Sequence, residues 1–105
     1  MEGSDLMGNC FSTTGWQVKD GRQQEFVERW TMFLHWTRET QDGLKAAQLV
    51  ADEVDHRRFL SVGEWSDSTA RQAWQDAPRF MELFMPCLEV CDDVQSSQYE
   101  IKVTI

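Results

Sequence analysis

The apolar and polar positions change period several times along the chain, and each change marks an element. Residues 10–19, CFSTTGWQVK, mix Phe, Trp, Val and Thr, which suit a pleated surface, and predict a first strand. The KDG that follows breaks the pattern. Phe26, Trp30, Phe33, Leu34 and Thr37 then recur at helical spacing and predict a long amphipathic helix, with Gly43 as its left-handed stop. Two extended runs, LKAAQLVAD and RRFLSVGEW, flank the charged EVDHR and predict an antiparallel hairpin. SDST offers N-cap residues for a helix carrying Arg71 to Asp76. Pro78 suits the first position of a second short helical segment. Pro86 should interrupt that segment, because it lacks an N–H and crowds the preceding turn. At the end, QYEIKVTI alternates Tyr99, Ile101, Val103 and Ile105 against Gln98, Glu100, Lys102 and Thr104, which predicts a closing strand with one buried face.

The order is β-α-β-β-α-β, a ferredoxin-like α+β fold with one antiparallel four-stranded sheet and the helices on one face. The hairpin raises a difficulty. Its first strand alternates Leu44, Ala46, Gln48, Val50 with Lys45, Ala47, Leu49, Ala51, so neither side is clearly polar. In the next strand Phe59 and Trp65 share one face while Leu60 and Val62 share the other. A sheet apolar on both faces, with helices for only one, predicts a partner on the second, most simply another copy in a homodimer.

Composition narrows the classes. A chain of 105 residues suits one domain, here residues 9–105, behind a loose tail at residues 1–8. A net charge of -8 with no basic cluster argues against nucleic acid or an anionic membrane surface as partner. No run of about 18 apolar residues exists to span a membrane. MEGSDLMGNC has neither the basic start nor the apolar run of a signal peptide, and the odd count of 3 cysteines suits a reducing cytoplasm. Cys87 and Cys91 stand four apart without a second Cys or His pair, so no metal site is expected. No Gly-rich loop is present to cradle the phosphates of NAD or flavin.

The most specific stretch is FLSVGEWSDSTARQAWQDAPRF, residues 59–80. Together with VKDGRQQEFVERW and QDGLKAAQLVAD it resembles the antibiotic biosynthesis monooxygenase family, in which a strand leads into V-x-x-G-x-x-x-x-F and a helix, and EW ends the third strand. The similarity spans about residues 10–105 and implies a dimeric α+β barrel of two face-to-face sheets. Heme-degrading relatives carry an Asn near the end of strand one, a Trp on the helix after strand three and a His ten residues later. Trp74 matches the Trp, but Thr14 stands at the Asn position and Phe84 at the His position. Without an axial imidazole, heme chemistry is not expected, and no cofactor is.

What remains is an aromatic slot. Trp74, with Ala70, Ala73 and Ala77 around it, reads as one large ring with room beside it, and Trp30, Phe33, Phe80 and Phe84 complete the slot. Thr14 and Gln72 are candidate hydrogen-bond partners for a phenolate or carbonyl, and Glu64 is a candidate partly buried carboxylate. His35 points away from the apolar helix face and His56 falls in the charged turn, so no catalytic base is identified. Trp65 reads as core or interface packing. By resemblance, the expected activity is cofactor-independent monooxygenation of a flat aromatic or phenolic molecule, quinol- or anthrone-like. The alternative is a non-catalytic dimeric module that binds a small ligand or is purely structural.

Overall fold

The computed structural model describes residues 10–105, so the predicted tail at residues 1–8 lies outside the described residues, as does residue 9. The elements are β1 (Cys10–Val18), α1 (Gln23–Thr40), β2 (Leu44–Ala51), β3 (Arg58–Trp65), α2 (Ser68–Asp76), α3 (Pro78–Leu88) and β4 (Cys91–Glu100). The strands form one antiparallel sheet in the order β2-β3-β1-β4, the ferredoxin-like arrangement. Among the described residues, no helix is long and apolar enough to cross a membrane.

The helical face of the sheet carries the core. Trp16 and Val18 on β1 and Phe59 on β3 pack against Phe26, Trp30 and Phe33 of α1 and against Cys87 and Val90 at the end of α3. The face predicted for α1 is the one buried, and His35 is exposed opposite it. Gly21, at φ 82°, supplies the left-handed turn between β1 and α1.

Four expectations need correction. Gly43 is not a left-handed stop: Gly21 is the glycine with positive φ among the described residues. Gly43 is small for another reason, since a Cβ there would stand 2.3 Å from the Ala70 methyl, where the start of β2 meets α2. Pro86 does not interrupt α3, which continues to Leu88. It sits in the last turn, so its missing N–H removes one bond near an end that is already short of partners. The Pro86 carbonyl accepts from Arg29 Nη1 at 2.7 Å, which ties the turn to α1.

The closing strand lies earlier than its alternation suggests. β4 is Cys91–Glu100, and Tyr99, Ile101, Val103 and Ile105 are all exposed. Cys10, the first described residue of β1, pairs with Glu100, so residues 101–105 have no described strand beside them. The fourth correction resolves the two-sided hairpin. The β2–β3 register shifts between Leu44 and Ala46, a bulge that puts Leu44 on the same face as Ala47 and Leu49. The helical face of β2 is therefore Leu44, Ala47, Leu49, and the opposite face begins with Ala46, Gln48 and Val50.

Candidate functional site

Between α1, α2 and the sheet lies a cavity of about 40 Å³ walled mainly by rings: Trp16, Trp30, Phe33, Trp65, Trp74 and Phe84. Strand periodicity puts Ser12, Thr14 and Trp16 of β1 and Ser61, Gly63 and Trp65 of β3 on its floor, because alternate residues share a face. Helix α1 supplies Trp30, Phe33 and Thr37 from the one buried stripe. Helix α2 is held in place by Asp67, whose side chain accepts from the Ala70 N–H at 2.7 Å as its N-cap, and it sets Trp74 over the floor.

Three indoles on the wall each donate to a hydroxyl. Trp16 Nε1 donates to Ser61 Oγ at 3.1 Å, Trp65 Nε1 to Ser12 Oγ at 3.0 Å, and Trp74 Nε1 to Thr37 Oγ1 at 3.0 Å. These pairs let polar atoms sit inside an apolar wall without leaving any buried side-chain nitrogen or oxygen unpaired among the described residues. The rings also pack on one another. Trp74 lies 4.8 Å from Trp65, 4.8 Å from Phe80 and 5.7 Å from Phe33, centroid to centroid.

A second recess of about 120 Å³ opens toward β4, lined by Ser12, Thr14, Trp74, Phe80, Phe84 and Ser96 among others. Ser12, Thr14, Trp74 and Phe84 border both spaces, so Trp74 and Phe84 stand as the partition over a shared floor. Both spaces fall well short of the roughly 300 Å³ at which small-molecule pockets begin. Even joined they fall short of it, so a ring-sized ligand requires side chains of the partition to move aside.

Of the eight residues singled out in the sequence, Thr14, Trp30, Phe33, Trp74 and Phe84 meet in the cavity and Phe80 borders the outer recess. Two lie elsewhere. Gln72 is exposed on the far side of α2, where its amide donates to Asp76 at 3.1 Å. Glu64 is half-buried on the opposite face of the sheet, paired across strands with Phe11 and Ala46. Ser12, Ser61 and Thr37 were missed. Period two from Thr14 would have found Ser12, and Thr37 was counted only as part of an apolar stripe.

Among the described residues, no carboxylate, histidine or amine lines either space; their polar lining is hydroxyl, indole and amide. Burial pushes the thiol of buried Cys87 up to about 12 and that of half-buried Cys91 up to about 11, so both are held in the protonated, weakly nucleophilic form. Among the described residues, no group of three or more His, Cys, Asp or Glu could hold a metal ion.

The family model for antibiotic biosynthesis monooxygenases matches residues 13–84, from β1 through the wall residue Phe84. The chain belongs to that family. Solved structures share its fold at low identity, among them an antibiotic biosynthesis monooxygenase with a TM-score of 0.77 at 16% identity, covering 90% of this chain and 99% of that one. A mutant of SnoaB, a cofactor-independent oxygenase from Streptomyces nogalater, superimposes with a TM-score of 0.84 at 13% identity, covering 93% of this chain and 97% of that one. A conserved protein from Methanosarcina mazei Go1 gives 0.83 at 19% identity, covering 94% and 98%. No curated protein matches the chain in sequence. At these identities the structural likeness establishes the fold, and the family match establishes the membership.

Proposed function

We propose that this chain is a cofactor-independent monooxygenase that oxidises a flat aromatic or phenolic molecule, quinol- or anthrone-like, with O₂. The observation that carries the reading is the ring-walled cavity with hydroxyls on its floor, in a chain of the antibiotic biosynthesis monooxygenase family. The SnoaB likeness adds a cofactor-independent oxygenase of the same fold. Thr14, Trp30, Phe33, Trp74, Phe80 and Phe84 are the proposed substrate-contacting residues.

The lining narrows the substrate. Because no described residue on the cavity is a side-chain base, loss of the first proton to solvent fits best, which favours a substrate acidic enough to ionise by itself. Its anion gives one electron to O₂, the radical pair combines as a hydroperoxide, and loss of water leaves a carbonyl. For a methylene substrate the balance is R₂CH₂ + O₂ → R₂C=O + H₂O. The protein's part is to stack the ring, hold the anion by hydrogen bonds and keep water from the radical stage. Oxygen uptake with a panel of anthrones and hydroquinones, without added metal, tests the reading. Uptake indistinguishable from protein-free controls across the panel would sink it.

The lack of a base among the described lining residues also favours a second reading, a non-catalytic module that binds the same ligands. It predicts quenching of tryptophan fluorescence by those compounds without oxygen uptake. Either reading includes a homodimer closed through the open sheet face, and the thiols Cys87 and Cys91 suit the reducing cytoplasm.

A further inference from the structure

We propose that Ser12 is the hydrogen-bond donor that receives an anionic ligand oxygen in this cavity, with Trp65 and Gly63 as the residues that set it. The inference rests on the cavity being the ligand site. Its basis is a difference among the four hydroxyls that line the inner space, Ser12, Thr14, Thr37 and Ser61. Thr37 Oγ1 donates to the backbone carbonyl of Phe33 at 2.9 Å and Ser61 Oγ to that of Thr14 at 3.4 Å, and Thr14 Oγ1 is paired with a second hydroxyl, Ser96 Oγ, at 3.0 Å, in a bond that either oxygen can donate. Ser12 Oγ accepts from the Trp65 indole, and its own proton has no acceptor among the described residues.

The surroundings of Ser12 are built for that bond. Ser12 pairs across strands with Gly63, and Trp65 lies two residues further along β3 on the same face. A Cβ at position 63 would stand 2.9 Å from Ser12 Oγ and 3.2 Å from Trp65 Nε1, so any side chain there would force the hydroxyl and indole apart. Glycine at 63 lets the Trp65 ring fold back over its own strand and reach Ser12. Ser12 also borders both the inner cavity and the outer recess, where a ligand oxygen arriving from the recess meets the floor.

The chemistry follows from the chain of donors. A hydroxyl that accepts from an N–H is polarised and becomes a better donor in turn. Its bond to a phenolate or enolate oxygen is charge-assisted, and it favours the ionised ligand over the neutral one. Ser12 would touch the ligand, whereas Trp65 acts through Ser12 and is a positioning residue. A site whose described lining holds no base would thus select its ligand's charged form by hydrogen bonding.

The test measures affinity for para-nitrophenol above and below its pKa, with tryptophan quenching for binding and visible absorbance for ionisation of the bound probe. The wild-type protein is expected to prefer the ionised form. Ser12→Ala should reduce that preference by on the order of tenfold to a hundredfold, the range for a hydrogen bond to a charged group. Ser12→Thr should keep it. Trp65→Phe and Gly63→Ala should each weaken it although the hydroxyl remains. A Ser12→Ala protein with wild-type preference overturns the assignment. If Ser12→Ala does not fold, unchanged preference in both Trp65→Phe and Gly63→Ala overturns it instead. A wild-type protein that binds the probe in neither form removes the ligand site itself, and this inference with it.

Discussion

Trp74 shows what a single residue in this fold can and cannot disclose. Its place beside the cavity is legible in the sequence, because the ring falls on the inward side of a helix that follows strand three. The alanine stripe around it was read too simply: Ala70 packs against Gly43, while Ala73 is exposed. Gln72 lies away from the cavity for a reason also visible in the sequence, since two helical steps rotate it about 200° from Trp74. Trp74→Phe should weaken binding of a flat aromatic ligand severalfold and lower stability by less than about 1.5 kcal/mol, because most of the apolar volume stays. Thermal unfolding paired with ligand quenching checks this; a large stability loss with unchanged affinity would make Trp74 solid core. The thiols give a pH prediction. Cys87 and Cys91 are held protonated by burial, at about 12 and about 11 against an ordinary 9.0. Their contribution to stability is complete below pH 9 and is lost as pH rises through the folded values, since the unfolded state ionises first. Unfolding free energy should fall between about pH 9 and pH 11, and fall less in Cys87→Ala. Iodoacetamide at pH 8 should label Cys87 only after denaturation.

At the scale of elements, strong periodicity was readable and tertiary pairing was not. The stripe of α1 and the hairpin came directly from spacing, because each element buries one face. β4 did not: its sequence, CDDVQSSQYE, is mostly polar, and only pairing with β1 makes it a strand. The better strand pattern, residues 98–105, loses because most of it has no described neighbour. The bulge in β2 was equally hidden, since a one-residue offset leaves no mark in composition. α2 depends on its start. It is nine residues long and has no buried residue, so its cap matters more than its packing. Asp67→Ala should cost about 0.5–2 kcal/mol and Asp67→Asn much less, measured by chemical denaturation. Because α2 carries Trp74, the alanine variant should also bind an aromatic probe more weakly. Equal stability of the two variants would show that the cap is not what holds α2.

For the whole molecule, the face of the sheet away from the helices is the surface without a covering layer among the described residues. Phe11, Val62 and Ala46 lie on it, with Leu60 at 43% exposure, Val50 at 47% and Tyr99 at 57%. The helices cover only the opposite face, as the strand pattern implied. We expect a homodimer closed through this face, with more than about 2,000 Å² buried in total if the interface is obligate. Light scattering should give about twice the 12.3 kDa chain mass at micromolar concentration. Val62→Lys should shift the protein toward monomer by placing an unpaired charge in the joint. A wild-type protein that stays at the chain mass removes the dimer.

The close contact between Trp65 and Trp74 has an optical consequence. Two indoles with centroids 4.8 Å apart and planes inclined by 34° couple their electronic transitions. The folded protein should therefore show a circular dichroism couplet, one positive and one negative lobe, that disappears in Trp74→Phe and survives in Trp36→Phe. One of the two chromophores is also half of the partition between the inner cavity and the outer recess. A molecule that wedges the partition open would separate the pair and flatten the couplet, so the protein carries its own gauge of whether the cavity is open or shut.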